Sequence, residues 1–253
     1  MKTKLLSHVG LGMILWVNAG YNGQTVRAEE NTAYYEVREE ETAKSELFSE
    51  TASEDDQFIM EKIQRDGKIY KRIAGKSYQE NDDILLEDLR YLIILYYDFE
   101  HEIQKGELIV NASIAEDCLD IFRKLYDAEY EIASVKLIDE FWTGDGALTD
   151  TASVEANNTS AFCYRMTTSG KSLSNHALGC AVDINPRQNP YFEFSDGEAV
   201  WYHDGDEKYL DRGDKKEHMI TEDDLCYQLF TEYGFTWGGN WNNPKDYQHF
   251  ERK

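Results

Sequence analysis

Ser174-Asn175-His176-Ala177-Leu178-Gly179-Cys180-Ala181-Val182-Asp183 is the stretch on which the reading of this chain turns, together with Asp246-Tyr247-Gln248-His249 near its end. The two segments bring two imidazoles and one carboxylate, and a second carboxylate, Asp246, precedes the last histidine by three residues. That set suits a hydrolytic zinc site: three protein ligands, a coordination position left for water, and a base to take the water's proton. A histidine and an aspartate seven residues apart are unspecific on their own, and a satisfied surface histidine is the ordinary alternative. The surroundings strengthen the reading. Gly179 to Asn185 alternates small, apolar and polar residues and predicts a strand on which Asp183 faces away from Val182 and Ile184. An unpaired carboxylate there would be costly to bury, and a metal removes that cost. His249 likewise falls on a predicted strand, Tyr247 to Glu251, beside Trp237 and Trp241. Such aromatic walls are core more often than substrate platform.

Working outward, the chain begins with Met1-Lys2-Thr3-Lys4, an apolar run from Leu5 to Val17 and the small residues Asn18-Ala19-Gly20. Residues 1–28 are expected to be a secretory signal peptide or an N-terminal anchor. The run is shorter than the ~20 apolar residues of a spanning helix, and His8 inside it keeps an uncleaved membrane anchor open. Glu29 to Asp56 carries eleven acidic residues against Arg38 and Lys44 and has few large apolar ones. It cannot bury enough surface to offset its ordering entropy and is expected to be a disordered spacer, residues 29–56. Residues 57–253 are long enough for one domain with a sizeable core. Net charge is −23, which disfavours nucleic acid as a partner because phosphate contacts need basic patches. The cysteines Cys118, Cys163, Cys180 and Cys226 have no CxxC spacing, and Cys118 and Cys226 are expected to be free buried thiols within helical patterns.

The expected elements follow in order. Asp82 to Glu102 reads as a long helical or mixed stretch with Leu85, Leu86, Leu89, Leu92, Ile93, Tyr96 and Tyr97 on its apolar side. Glu107 to Asn111 reads as a strand. Ser113 and Glu116 suggest a capping box before a helix with Ile114, Cys118, Ile121, Phe122 and Leu125 at a 3.6-residue period. Ser134 to Glu140 is expected to be a strand, Asp145 to Ser160 a polar loop, and Glu193 to His218 an irregular surface excursion. A helix is predicted from Thr221 with Gly234 as its stop. His101, His203 and His218 are expected to be lone, solvated histidines, and the oxygen spacing around His203 is incomplete for a calcium loop. Helices and antiparallel strands mix without a βαβ rhythm, so the class is α+β, a small antiparallel sheet flanked by helices.

Three stretches carry a family resemblance: Asn157 to Arg165, Ser174 to Asn185 with Pro186 and Asn189-Pro190-Tyr191, and Gly234-Phe235-Thr236-Trp237-Gly238-Gly239-Asn240-Trp241 through Lys245 to Glu251. Here the chain resembles the D-alanyl-D-alanine carboxypeptidase-like (VanY-type) zinc peptidases of bacterial cell walls, which include L-alanyl-D-glutamate endopeptidases. The resemblance covers about the last hundred residues, with a motif core at about 150–253. It implies a hedgehog/DD-peptidase-like zinc peptidase fold for residues 57–253. It also implies zinc held by His176, Asp183 and His249, Asp246 as catalytic base, and Arg165 directed at substrate near the scissile bond. Peptidoglycan stem peptides are the implied substrate, and no protein partner is implied. A structural salt bridge is the alternative for Arg165. Ser174 is expected to orient a ligand or substrate, with capping as the equal alternative, and Trp237 and Trp241 to contact substrate.

Asn240 stands where many relatives have an acid. Asp246 is an aspartate where the carboxypeptidase and dipeptidase branches tend to have a glutamate, a feature more like the L-alanyl-D-glutamate endopeptidases. The expected activity is therefore hydrolysis of a stem-peptide amide of the D-Ala-D-Ala carboxypeptidase type, with the endopeptidase as alternative. A dipeptidase acting on free D-Ala-D-Ala is a weaker reading. A zinc-stabilised, non-catalytic wall-binding or signalling module is the reading from another class, and Asp246 speaks against it.

Overall fold

A computed structural model describes residues 57–167 and 170–252. The expected signal peptide or anchor and the acidic spacer lie outside the described residues. No helix among the described residues is long and apolar enough to cross a membrane.

Strand β2 (Leu89–Tyr97) lies between β1 (Ile59–Lys62) and β3 (Ile103–Asn111) in an antiparallel sheet, with Leu92 opposite Leu108 and Arg90 opposite Val110. This corrects the helical reading of residues 82–102. Leu-Arg-Tyr-Leu-Ile-Ile-Leu-Tyr-Tyr is rich in branched and aromatic side chains and is covered on both faces. Its apolar run is nearly continuous, so positions that match a helical period also match a central strand. Short helix α1 (Lys68–Ile73) packs Ile73 into a smaller apolar cluster with Tyr78, Leu86 and Phe162 on one side of this sheet.

Helix α2 (Ala115–Asp127) covers the other side with Cys118, Ile121, Phe122 and Leu125, as its period predicts. Its start differs from the expected capping box. Ile114 is the N-cap, and the Ser113 hydroxyl bonds to Asn111 Oδ1 at 2.8 Å; Glu116 and Asp117 in the first turn favour the helix dipole instead. The expected strand at 134–140 reduces to a single bridge between Val135 and Thr159, followed by a 3-10 turn at Ile138–Phe141. The expected loop at 145–160 contains helix α3 (Gly146–Glu155), capped by Asp145, whose carboxylate accepts from the amides of Ala147 at 2.9 Å and Leu148 at 3.0 Å.

Two further small antiparallel sheets complete the α+β architecture. One has the order β4 (Ala181–Asp183), β9 (His249–Glu251), β7 (Thr236–Trp237); the other has the order β6 (Glu198–Trp201), β5 (Tyr191–Ser195), β8 (Lys245–Asp246). The β5–β6 hairpin replaces the first part of the expected irregular excursion. It turns at Asp196 and Gly197, both at positive φ, as a two-residue hairpin requires. Helix α4 (Leu225–Glu232) begins later than Thr221, because Asp224 is its N-cap and accepts from Cys226 N at 2.9 Å. Gly234, at φ +81°, follows its end.

Val182 and Ile184, Phe250 and Trp237, and α4 through Phe230 join the β2–β3–α2 core in one apolar cluster. Burying each such large side chain contributes roughly 1.5–3 kcal/mol, so β4 and β9 rest on a firm floor. All four cysteines are buried, and Cys118 and Cys226 are free thiols as expected.

Candidate metal centre and catalytic base

Strand alternation determines what β4 shows to each side. Val182 enters the core, and its neighbour Asp183 points the other way, directly opposite His249 of β9. His249 Nδ1 lies 3.0 Å from Asp183 Oδ1. The third group comes from a 3-10 turn, Asn175–Leu178, which Ser174 caps by accepting from His176 N at 3.3 Å. Gly179 ends the turn at φ +66°, and a Cβ there would lie 2.6 Å from Asn111 N. Only glycine lets the turn dock on the end of β3, where Asn111 N donates to Gly179 O at 2.8 Å and Asn111 Nδ2 donates to Leu178 O at 3.0 Å. His176 Nε2 then lies 3.2 Å from His249 Nδ1 and 3.2 Å from Asp183 Oδ2.

These spacings suit a metal. Bonds of about 2.0–2.1 Å at tetrahedral angles put ligand atoms roughly 3.3 Å apart. His176 Nε2 and His249 Nδ1 are 3.2 Å apart and each lies 3.0–3.2 Å from a different Asp183 oxygen; all three residues are buried, and all carry ligand chemistry suited to zinc. The outer contacts fix the imidazole tautomers. His176 Nδ1 is 2.6 Å from the Ala161 carbonyl, which can only accept, so Nδ1 carries the proton and Nε2 presents a lone pair. His249 Nε2 is 3.1 Å from Glu251 Oε2 and donates to it, leaving Nδ1 for the centre. Glu251 is itself held by Asn175 Nδ2. Such outer partners orient ligands and raise their basicity.

The electrostatics are those of a site that collects positive charge. Burial works against ionised Asp183, yet His176 and His249 outweigh it and hold the carboxyl well below the usual range. Burial also opposes a charged His249, but hydrogen bonds to Asp183 and Glu251 raise it to about 10. Asp246 behaves in the opposite way. Burial dominates, and with nearby Asp183 it pushes the carboxyl up to about 6 against the attraction of His249. Its Oδ1 is buried without a hydrogen-bond partner. Gly238 packs against it: a Cβ there would meet Asp246 O at 2.5 Å, Asp246 Cβ at 2.9 Å and His249 Cβ at 3.3 Å.

The remaining expected site residues divide. Trp241 is part-exposed, its ring centroid 5.3 Å from that of His249, and it stands at the rim of the centre. Trp237 does not: it is buried, stacks with Phe250, and its Nε1 donates to Tyr247 O at 2.8 Å, so it is core rather than substrate wall. Ser174 is buried and spent on its capping bond, the structural of its two alternatives. Arg165 is largely buried and pairs with Asp150 of α3, Nη2 to Oδ2 at 2.7 Å, while its Nε is buried without a partner. The Asp183 charge acts on it as well. Glu251, Asn175, the Ala161 carbonyl and Asp150 went unnoticed in the sequence. Only Glu251, two residues after His249 on the same face of a strand, left a signal there.

Among the other histidines, His101 is exposed, but His203 and His218 are not freely solvated. His203 approaches Glu155 at 3.7 Å, and His218 stacks on Phe99 with centroids 3.6 Å apart.

Residues 167–252 match the model of a family described as D-alanyl-D-alanine carboxypeptidase. The match bears out the resemblance to that peptidase family over these residues and supports a peptidase. It includes His176, Asp183, Asp246 and His249, and stops just short of Arg165. Comparison with curated proteins and with solved structures gave no match.

Proposed function

We propose that this chain is an exported zinc peptidase that hydrolyses an amide bond of peptidoglycan stem peptides, of the D-Ala-D-Ala carboxypeptidase type, on a DD-peptidase-like fold. One observation carries the reading. A buried carboxylate with an unpartnered oxygen, Asp246, stands beside a three-residue ligand set, and a centre that only stabilises the fold has no use for it. His176 Nε2, Asp183 and His249 Nδ1 would hold the ion. When bound, zinc supplies a water acidified to near neutrality and an electrophile for the scissile carbonyl.

The chain's own residues supply the rest. Asp246 Oδ1, free of other bonds, takes the proton of the attacking water and delivers it to the leaving amine. Glu251 and the Ala161 carbonyl hold the two imidazoles in the tautomers that coordination needs. Arg165, restrained by Asp150 and carrying an unpartnered N–H, is the donor assigned to the substrate carbonyl. Trp241 gives the rim an apolar wall. The apolar run at residues 5–17 supports export, with or without a retained anchor. That the base is an aspartate favours L-alanyl-D-glutamate cleavage as the second reading.

Purified protein, zinc-loaded or chelator-treated, incubated with defined muropeptides and followed by mass spectrometry tests the proposal. Loss of a terminal D-alanine supports it, and cleavage after L-alanine supports the second reading. Intact muropeptides with zinc-loaded protein would reject both.

A further inference from the structure

Beside the base, the β5–β6 hairpin carries a group of side chains that the reaction does not use. The β5–β8 register puts Tyr191 directly opposite Asp246, so both side chains lie on one face, with Cβ atoms about 4.5–5.5 Å apart. Glu193, two residues along β5, lies on the same face, which puts its Cβ diagonally about 7–8 Å from that of Asp246. The Tyr191 hydroxyl donates to Glu193 Oε1. The Tyr202 ring closes the group, its centroid 5.6 Å from that of Tyr191, and at 53% exposure it is open to a ligand. Burial, then the Glu193 carboxylate, raise the pKa of both phenols, so both remain neutral donors around one anion. Among the described residues no lysine, arginine or histidine forms an ion pair with Glu193. Asn243 fixes the hairpin to the turn before Asp246, accepting from Phe194 N at 2.9 Å and donating to Phe194 O at 3.1 Å.

A carboxylate without a cation, flanked by two phenol rings, is a recognition site for an ammonium group, which gains both ion pairing and attraction to the ring faces. We infer that Tyr191, Glu193 and Tyr202 form a specificity subsite that binds a free amine on the substrate one or two residues from the scissile amide. The distance fits an amine at the end of a lysine-like side chain one residue removed from that bond, since Glu193 stands about two strand positions from the base. Acylating that amine removes the charge and should remove the preference. The inference rests on the proposed peptidase reading for the position of the scissile bond.

Two peptides test it: Nα-acetyl-L-lysyl-D-alanyl-D-alanine and the same peptide acetylated also on the side-chain amine. Wild-type protein loaded with zinc is expected to show kcat/KM about tenfold higher for the free amine. In Glu193→Gln the ratio should fall to near one, and in Tyr202→Leu to an intermediate value, both variants retaining the wild-type circular dichroism spectrum. A wild-type ratio near one, or a ratio unmoved in Glu193→Gln, overturns the subsite. If neither peptide is hydrolysed, it is the proposed bond that fails. Tryptophan-fluorescence titration of the zinc-loaded protein with the same two peptides then decides the subsite. Tighter binding of the amine form, lost in Glu193→Gln, upholds it; equal affinity or no binding of either peptide overturns it.

Discussion

Asp183 and His249 are direct cross-strand partners in the β4–β9 pair, their facing atoms 3.0 Å apart. Two of the three candidate ligands are therefore set by backbone register, and a one-residue slip of either strand would turn its ligand away from the other. The third, His176, depends on a single turn. We predict one zinc per chain in the wild type and loss of stoichiometric metal in His176→Ala and in His249→Ala. Elemental analysis of the purified variants checks this, and full zinc content in both would remove the assignment.

Glu251 should matter through His249. Replacing it by glutamine keeps a hydrogen-bond acceptor but removes the charge that holds the Nε2 proton. Partners of this kind typically contribute about 10–100-fold to metal affinity. A chelator-competition titration of Glu251→Gln is expected to show weakening in that range with the fold retained. Affinity equal to wild type would make Glu251 an ordinary strand residue.

Gly238 is expected to be intolerant for reasons of space. An alanine Cβ would press on Asp246 backbone and Cβ atoms, neither the far end of a flexible chain, so the base itself must move. Misplacement by about 1 Å can lower a rate about 100-fold. Gly238→Ala should therefore lose activity while keeping most of its zinc. Normal turnover in that variant would show that the base has freedom the packing denies it.

The cluster of candidate ligands could be read from sequence because chemistry and periodicity agreed there: Asp183 alternates with Val182 and Ile184, and few side chain types bind zinc. The elements around it were harder. Leu89–Tyr97 is covered on both faces, so the polar half of the alternation that marks a strand is missing. Helix α3 was obscured by polar Thr, Asp and Ser residues, although Asp145 is a proper N-cap for it. The β5–β6 hairpin did leave a signal, Asp196-Gly197 between Phe194 and Val200, which the acidity of the region masked. Trp237 and Trp241 could not be told apart in sequence, because which ring enters the core depends on the 3-10 turn at Gly238–Asn240.

The pH response should follow Asp246. The residue must be ionised to accept a proton, and burial raises its carboxyl to about 6. A bound cation opposes that shift, so the acid limb of kcat/KM is expected at about 6 or below. The same shift has a stability consequence of opposite sense. The folded state holds this proton more tightly than the unfolded chain, whose carboxyl titrates at 3.8. The favourable contribution is present below 3.8 and lost as pH rises through about 6. At pH 7 the buried charge costs on the order of 1–3 kcal/mol in metal-free protein. Metal-free Asp246→Asn should thus melt higher than wild type at pH 7, with the difference gone near pH 4, while hydrolysis falls by about 10²–10⁴-fold. A lower melting temperature at pH 7 would contradict the buried, uncompensated carboxylate.

Arg165 separates catalysis from scaffolding. Its guanidinium is tied to Asp150 by one arm, and its Nε is a buried donor with no acceptor. An unpartnered buried donor costs stability unless a ligand uses it. Arg165→Lys keeps the charge and loses the fork, so contact with Asp150 persists while the second donor disappears. If that donor serves the substrate carbonyl or the developing oxyanion, the rate should fall by the equivalent of about 2.7–4 kcal/mol with little change in melting temperature. Asp150→Asn should give a smaller rate loss, because it loosens the arginine without removing it. Rates and melting temperatures of Arg165→Lys, Arg165→Ala and Asp150→Asn distinguish the cases. Unaltered rates in both arginine variants, with reduced melting temperatures, would make the pair a strut between α3 and the segment leading to His176.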